Sequence, residues 1–445
     1  MKNMRLKIKT YAIAALVLSF SLAASSCKEE NDIFADNDNP ITITSIHLQD
    51  VNDTKKDREV EFARLGQLIR LEGSGFVGVK EILINGENAY INPVLLTDNS
   101  LIVRVPREAP TANAKGDFKN RIILKKKNIS YTYNFEIRDA APSISRISHT
   151  MPQAGEEITI YGKGLIGIDK ITFPGNVVVT DGIVVDEKGE MCTVTVPAGV
   201  SNEGGSLLLT GVNGGVYSPA YFNFKKGIVT NFDDVDLYQW NRGEVSDNLT
   251  AQLPATGNKP KSQGKYRSLN KEGKTMPASE NLVYLSQCWL RSSPEWGDIL
   301  TENVIAPNTS TSDVAVQMDI YFEGKWNSGN IRFALGNGYS ASAYSLIYAP
   351  WEAFGKRVEV ENPGCWFTIT LPLNKTKDLE ETNFQFALDV IAAAEYKQAG
   401  PWLENGDING AKSESTNLNV YIDNIRFVPL ATLTYSDFAD EEETE

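Results

Sequence analysis

The chain has 445 residues, with 57 acidic side chains against 43 basic ones and a net charge of −14. That length allows roughly three domains of ~100–200 residues, and the acidity argues against a nucleic-acid binder, whose contact surface is basic. Two histidines, His47 and His149, leave little room for His-based catalysis, and neither can complete a multi-His metal site alone.

The N-terminus reads as an export signal. Lys2, Arg5, Lys7 and Lys9 precede a run from Tyr11 to Ala24 that is apolar apart from Ser19 and Ser21. The run is too short to span a bilayer comfortably, which takes ~20 residues. Leu22-Ala-Ala-Ser-Ser-Cys27 resembles a bacterial lipoprotein lipobox, although Ala24 stands where the commonest form has a large aliphatic residue. Lys28-Glu-Glu-Asn-Asp32 resembles the acidic signal that sends Bacteroidetes lipoproteins to the outer face of the outer membrane. The resemblance implies a lipidated Cys27, a cell-outer-membrane location facing outward, and membrane contact by the lipid anchor only. An ordinary cleaved signal with an incidental cysteine is the alternative. Residues 1–27 are then the signal, and residues 28–39 a polar, acidic tether.

Cys192, Cys288 and Cys365 have strand-like surroundings and no metal-ligand spacing. They are expected to be buried small apolar groups. A Cys288–Cys365 disulfide is left open, because its geometry is not readable from sequence.

From Pro40 to Phe224 the chain repeats itself. Gly66, Gly73, Gly75, Gly78 and Gly86 recur at an offset of 89 as Gly155, Gly162, Gly164, Gly167 and Gly175. Ile43-Thr-Ser-Ile46 matches Ile144-Ser-Arg-Ile147, and Leu101-Ile-Val-Arg-Val-Pro106 matches Cys192-Thr-Val-Thr-Val-Pro197. Short alternating strands cut by Gly-rich turns predict two small β-sandwiches, at 40–139 and 140–226. The Gly-x-Gly pairs are expected to supply the positive φ of a tight corner. Strand plus Gly-x-Gly-Phe/Leu resembles the IPT/TIG immunoglobulin-like family, which implies fold and, as the plainest role, a spacer. Gly73-Ser-Gly75 is no nucleotide loop, because it lacks the following helix and the phosphate lysine.

Residues 227–430 differ in composition: all seven tryptophans lie at or beyond Trp240. Alternation continues along 314–322, 330–335, 365–371 and 384–390, predicting strands with one face on a core and the other free. Only 387–395 hints at a helix. Many such strands predict a jelly-roll sandwich. The fold class is therefore all-β: two Ig-like modules, then a jelly roll, then an acidic tail at 431–445.

Asn231-Phe-Asp-Asp234, Gly364-Cys-Trp-Phe-Thr368 and Val420-Tyr-Ile-Asp-Asn-Ile-Arg-Phe427 resemble the sandwiches of carbohydrate-binding modules. The layout as a whole resembles the surface glycan-binding proteins of Bacteroidetes polysaccharide utilisation loci. This implies a non-catalytic receptor for a neutral plant glycan such as β-glucan, xyloglucan or mannan. The implied partners are an outer-membrane glycan importer and a surface glycosidase; no cofactor is implied. Indoles stack on the CH faces of sugars, and amides, carboxylates and guanidinium groups pair with hydroxyls. Trp289 shares an alternate face with Gln287 and Arg291. Trp296, Trp326, Trp351 and Trp402 lie in Gly/Pro-rich loops, where an exposed indole is costly without a use. With Arg332 and Tyr348, these are the expected glycan contacts, whereas Trp366 reads as packing. Asp233, Asp234 and Asp423 lie where the first and last strands meet, and no metal is assigned to them. The alternative function is a glycoside hydrolase with Ig-like spacers, since a carboxylate pair suffices for that chemistry.

Overall fold

The computed structural model describes residues 34–49, 55–233, 239–240, 253, 256–291, 304–336, 344–394 and 397–438. The chain forms two compact units, Met1–Ala140 and Ala141–Glu445. Cys27, Trp296 and Asp234 lie outside the described residues, as does the side chain of Trp240.

The first unit holds module 1. One of its sheets runs Arg58–Glu59, Thr42–Leu48, Leu68–Ser74, Ser100–Arg104, Ile91–Leu96; the other runs Ser130–Asn134, Arg121–Lys125, Glu81–Ile84, Glu87–Asn88. Module 2 opens the second unit with a similar plan. Ser143–Ile147, Glu157–Lys163 and Met191–Thr195 share one sheet, and Ile168–Phe173 and Leu208–Gly211 share the other. The repeat is thus a repeat of structure. Gly66, Gly75, Gly78 and Gly86 have φ of 75° to 87°, and their counterparts Gly155, Gly164, Gly167 and Gly175 have φ of 67° to 89°.

The two glycines of each Gly-x-Gly pair do different jobs. Gly75 and Gly164 take the positive φ that the sequence predicts. Gly73 and Gly162 instead permit close approach: a Cβ there would lie 1.9 Å from the carbonyl oxygen of Thr42 or Ser143. In both modules the facing strand carries a bulge at this point, between Ile43 and Ser45 or between Ile144 and Arg146. Gly162→Ala is therefore expected to push the edge strand away, at a cost of ~1–3 kcal/mol. A urea titration reads this as a lowered midpoint, and an unchanged midpoint would contradict the assignment.

The C-terminal part of the second unit is an antiparallel sandwich of two sheets. One contains Ile228–Thr230, Val420–Pro429, Val314–Phe322 and Phe367–Pro372 in that order. The other runs Gln239–Trp240, Trp289–Arg291, Gln398–Asn405, Asn330–Leu335, Ser345–Tyr348, with Val283–Gln287 also paired to Gln398–Asn405. Val316, Met318 and Ile320 meet Ile331, Phe333 and Leu403 in the core between them.

Two expectations are corrected here. Residues 384–390 are not a strand: Phe384–Ala393 is an α-helix, with Asn383 accepting a capping hydrogen bond from the Phe386 amide. Phe384, Ala387, Leu388 and Ile391 are buried, the i, i+3, i+4, i+7 set of a helical stripe. The alternate face of Val314–Phe322 is not free either. Ala315 packs with Phe224 and Val428, while Gln317 and Asp319 are buried against module 2. Cys192 and Cys288 are buried and Cys365 half-buried, and all three are free thiols. Burial pushes the Cys192 thiol up to about 11.

Module 2 is joined to the sandwich by a buried polar network. Arg426 donates to Asp319 (3.0 Å) and to the Thr150 hydroxyl (2.8 Å). Thr368 donates to Asp319 (2.6 Å), and Asn424 donates to its other oxygen (3.0 Å). From module 2, the Thr150 amide donates to the Thr368 hydroxyl, and the Ser148 carbonyl accepts from the Thr368 amide. His149 completes the cluster, 3.8 Å from Asp319. Burial opposes ionisation of Asp319, but the Arg426 charge and the hydrogen bonds from Arg426 and Thr368 hold its carboxyl below the ordinary value. Burial, with Asp319 next to it, pushes the Asp423 carboxyl well above its ordinary value. Among the described residues no group of three acidic, His or Cys side chains is placed to hold a metal.

Candidate functional site

The second sheet of the sandwich has two unlike faces. Alternation puts Ile331, Phe333 and Leu335 on the core side and leaves Asn330, Arg332 and Ala334 on the other. Along Gln398–Asn405 the same alternation puts Ala399 and Leu403 in the core and Trp402 and Glu404 on the far face. Strand register then assembles a polar and aromatic surface. Gln287, Trp402, Arg332 and Ile347 are successive cross-strand partners, and Tyr284, Glu404 and Asn330 form the neighbouring row.

Trp289, Trp402 and Ala334 form a small cluster separate from the main core. The two indoles meet edge to face, with centroids 4.9 Å apart at 84°. Tyr284, 56 % exposed, contacts Trp402 at 5.9 Å, whereas Trp402 itself is 3 % exposed and Trp289 fully buried. Gly400 makes room for this arrangement, since a Cβ there would lie 1.9 Å from the Cys288 carbonyl oxygen.

The polar groups are arranged around the indoles. The Arg332 guanidinium carbon lies 5.4 Å from the Trp402 ring centroid, and its Nε is 3.4 Å from Glu404 Oε1. Burial raises the Glu404 carboxyl to about 7, with Arg332 opposing the shift. Gln287 accepts from the Trp289 indole (2.9 Å), and Asn330 accepts from the Trp351 indole (3.1 Å). That leaves Gln287 Nε2 and Asn330 Nδ2 as buried donors with no hydrogen-bond partner among the described residues. Such donors carry a desolvation cost that a polar ligand would remove. This face combines aromatic rings with hydrogen-bonding groups, the group types that pair with sugars; Tyr284 and Ile347 are its exposed members, and Gln287, Trp289, Asn330, Arg332, Trp402 and Glu404 are buried beside them.

Glu404 also makes this face sensitive to pH. An unfolded glutamate loses its proton near its ordinary value of 4.5, and the folded one near 7. Over that interval the folded state retains the extra proton, so stability falls as pH rises. Glu404→Gln is expected to remove this slope. Its melting temperature relative to the parent should be more favourable at pH 8 than at pH 5, and equal differences at the two values would contradict the burial.

The structure separates the tryptophans that the sequence groups together. Trp289, Trp402 and Arg332 lie together on the face just described. Trp326 and Trp351, expected in exposed loops, are fully buried in the main core. Both indole N–H groups donate to the Gly329 carbonyl, at 2.7 and 2.8 Å. Their Gly/Pro-rich neighbours misled because each segment turns its indole inward; beside Trp351 it is Phe354 that stays exposed. Tyr348 packs edge-on against Trp326, with centroids 5.7 Å apart, rather than joining Trp402. Trp366 is buried against Tyr266 and Tyr321, as packing predicts. Tyr284 and Glu404 were missed by the sequence reading. Glu404 was within reach of it, two residues beyond Trp402 and thus on the same strand face.

Residues 222–429 match the family described as the surface glycan-binding protein B xyloglucan-binding domain. An IPT/TIG domain-containing protein of Bacteroides ovatus is 27 % identical over 212 residues, covering 45 % of this chain and 42 % of that protein. The chain thus spans less than half the length of that curated relative. A surface glycan-binding protein of Prevotella bryantii has a similar crystal structure, with a TM-score of 0.54 at 20 % identity, over 88 % of this chain and 99 % of that one. A second, from a complex xyloglucan utilisation locus of Bacteroides uniformis, gives 0.45 at 19 % identity, with the same two coverages. The family match bears out the resemblance to surface glycan-binding proteins over residues 222–429, and the Prevotella structure bears out the all-β fold read from the sequence.

Proposed function

We propose that this chain is a non-catalytic receptor that binds a neutral β-glucan-type polysaccharide, xyloglucan foremost, on the Trp289–Trp402 face. The observation that carries this reading is the placement of two indoles, a tyrosine, an arginine–carboxylate pair and two unsatisfied amide donors on one sheet face, away from the core. A packing face has no need of that polarity. The match of residues 222–429 to a xyloglucan-binding domain supports the ligand class. Aromatic packing geometry adds about 0.5–1.5 kcal/mol per pair beyond area burial. A single site of this kind is therefore of modest affinity, and several receptors on one cell surface raise it through avidity.

The location follows from the N-terminus. Lipidation of Cys27 anchors the chain in the outer membrane, and residues 28–39 link that anchor to module 1, against which Asp36 is held by Lys80 and Lys127 and Asn37 by Lys126. Among the described residues no helix is long and apolar enough to cross a membrane. Capture at that surface serves a glycan importer and a surface glycosidase. Affinity electrophoresis of the chain from residue 28 onward against xyloglucan, mixed-linkage glucan and mannan tests the reading. Retardation by xyloglucan is expected. No retardation by any of the three overturns it, and release of reducing sugar would establish the hydrolase instead.

A further inference from the structure

We propose that the cavity between module 2 and the C-terminal sandwich is a second saccharide site, distinct from the Trp289–Trp402 face. The sugar class rests on the reading above; the site does not. The cavity measures about 680 Å³. Ligand pockets span roughly 300–1,000 Å³ and favour domain interfaces. Both walls belong to the same compact unit.

Module 2 supplies Arg146 and Tyr161, cross-strand partners whose guanidinium and ring stack at 3.5 Å. Arg146 is exposed, and among the described residues it makes no ion pair or side-chain hydrogen bond. Its planar fork of donors is thus pre-oriented by the tyrosine and has no protein acceptor. The sandwich supplies Tyr348 and Phe367 on the opposite side. Burial pushes the Tyr348 hydroxyl up to about 12 while Arg146 acts against it, which places the two groups in one electrostatic environment. The remaining charges cancel locally: Lys259 pairs with Glu157 at 3.6 Å and Lys325 with Glu361 at 3.1 Å. Aromatic walls suit the CH face of a pyranose. A stacked guanidinium bridges two adjacent hydroxyls, and the balanced lining favours a neutral ligand over a charged one. Tyr348, which the sequence reading assigned to glycan contact, finds that role here.

Cys365 lines the same cavity as a half-buried free thiol, whereas Cys192 and Cys288 are buried. It therefore reports occupancy without labels. Alkylation of Cys365 by iodoacetamide, followed by peptide mass spectrometry, is measured with and without a xyloglucan heptasaccharide. At a probe concentration about ten times Kd, occupancy slows alkylation about tenfold. The slowing is expected in the parent chain and in Trp402→Ala, and is expected to disappear in Arg146→Ala. No slowing in the parent chain overturns the proposal, as does slowing that survives Arg146→Ala or is lost in Trp402→Ala. Retardation in affinity electrophoresis combined with unprotected Cys365 removes only this second site. Loss of retardation removes the receptor reading itself.

Discussion

Arg426→Met is expected to destabilise the second unit by about 3–5 kcal/mol, the cost of leaving one partner of a buried ion pair without the other. The estimate rests on completeness of burial: Arg426 is 0 % and Asp319 1 % exposed. Without the guanidinium, Asp319 keeps the Thr368 and Asn424 donors but loses its counter-charge. The neighbouring His149 cannot replace it at neutral pH, because burial holds its imidazole below the ordinary value and therefore uncharged. The damage should reach both modules at once, since Arg426 also holds Thr150 of module 2. In urea, far-UV and tyrosine signals of the second unit should lose their midpoint together and remain coincident. A shift below about 1 kcal/mol, the range of exposed pairs, would show that the network is not closed to water. Module 2 is thus more than the spacer its sequence suggests, because its Thr150 and His149 complete a charge cluster whose other members belong to the sandwich.

Legibility of this fold in the sequence followed the range of the forces involved. The Ig-like repeat was readable because glycine positions report local backbone demands, and ten of them recur with positive φ or close approach. The strand at 314–322 was readable from alternation. Its double burial was not, because the covering surface lies far earlier in the chain, 167 residues before Gln317 at Thr150 and about 90 before Ala315 at Phe224. Residues 384–390 alternate as a strand does, yet Asn383 caps them as a helix; Phe384 and Leu388 fit either period over so short a run, and only Ala387 and Ile391 mark the helical one. At the site, strand parity identified Trp289 and Arg332, while loop composition could not tell an outward indole from an inward one. Trp326 and Trp351 point inward because the Gly329 carbonyl offers both their N–H groups a buried acceptor.

That distinction yields a pair of substitutions with opposite signatures. Trp326→Ala removes a fully buried indole from the main core and is expected to cost about 3–5 kcal/mol of stability. Its folded fraction should keep the parent's affinity at the Trp289–Trp402 face, because Trp326 packs in the main core. Trp402→Ala should lower affinity at least about tenfold, about 1.4 kcal/mol, the loss of a central aromatic anchor. Its stability cost is expected to be the smaller of the two. Trp402 packs in a three-residue cluster with Trp289 and Ala334, whereas Trp326 packs in the main core. Isothermal titration with xyloglucan, beside urea unfolding of the same preparations, separates the effects. Equal affinity losses in both variants would mean that binding follows global integrity rather than this face. Normal affinity in Trp402→Ala would move the site elsewhere on the sandwich.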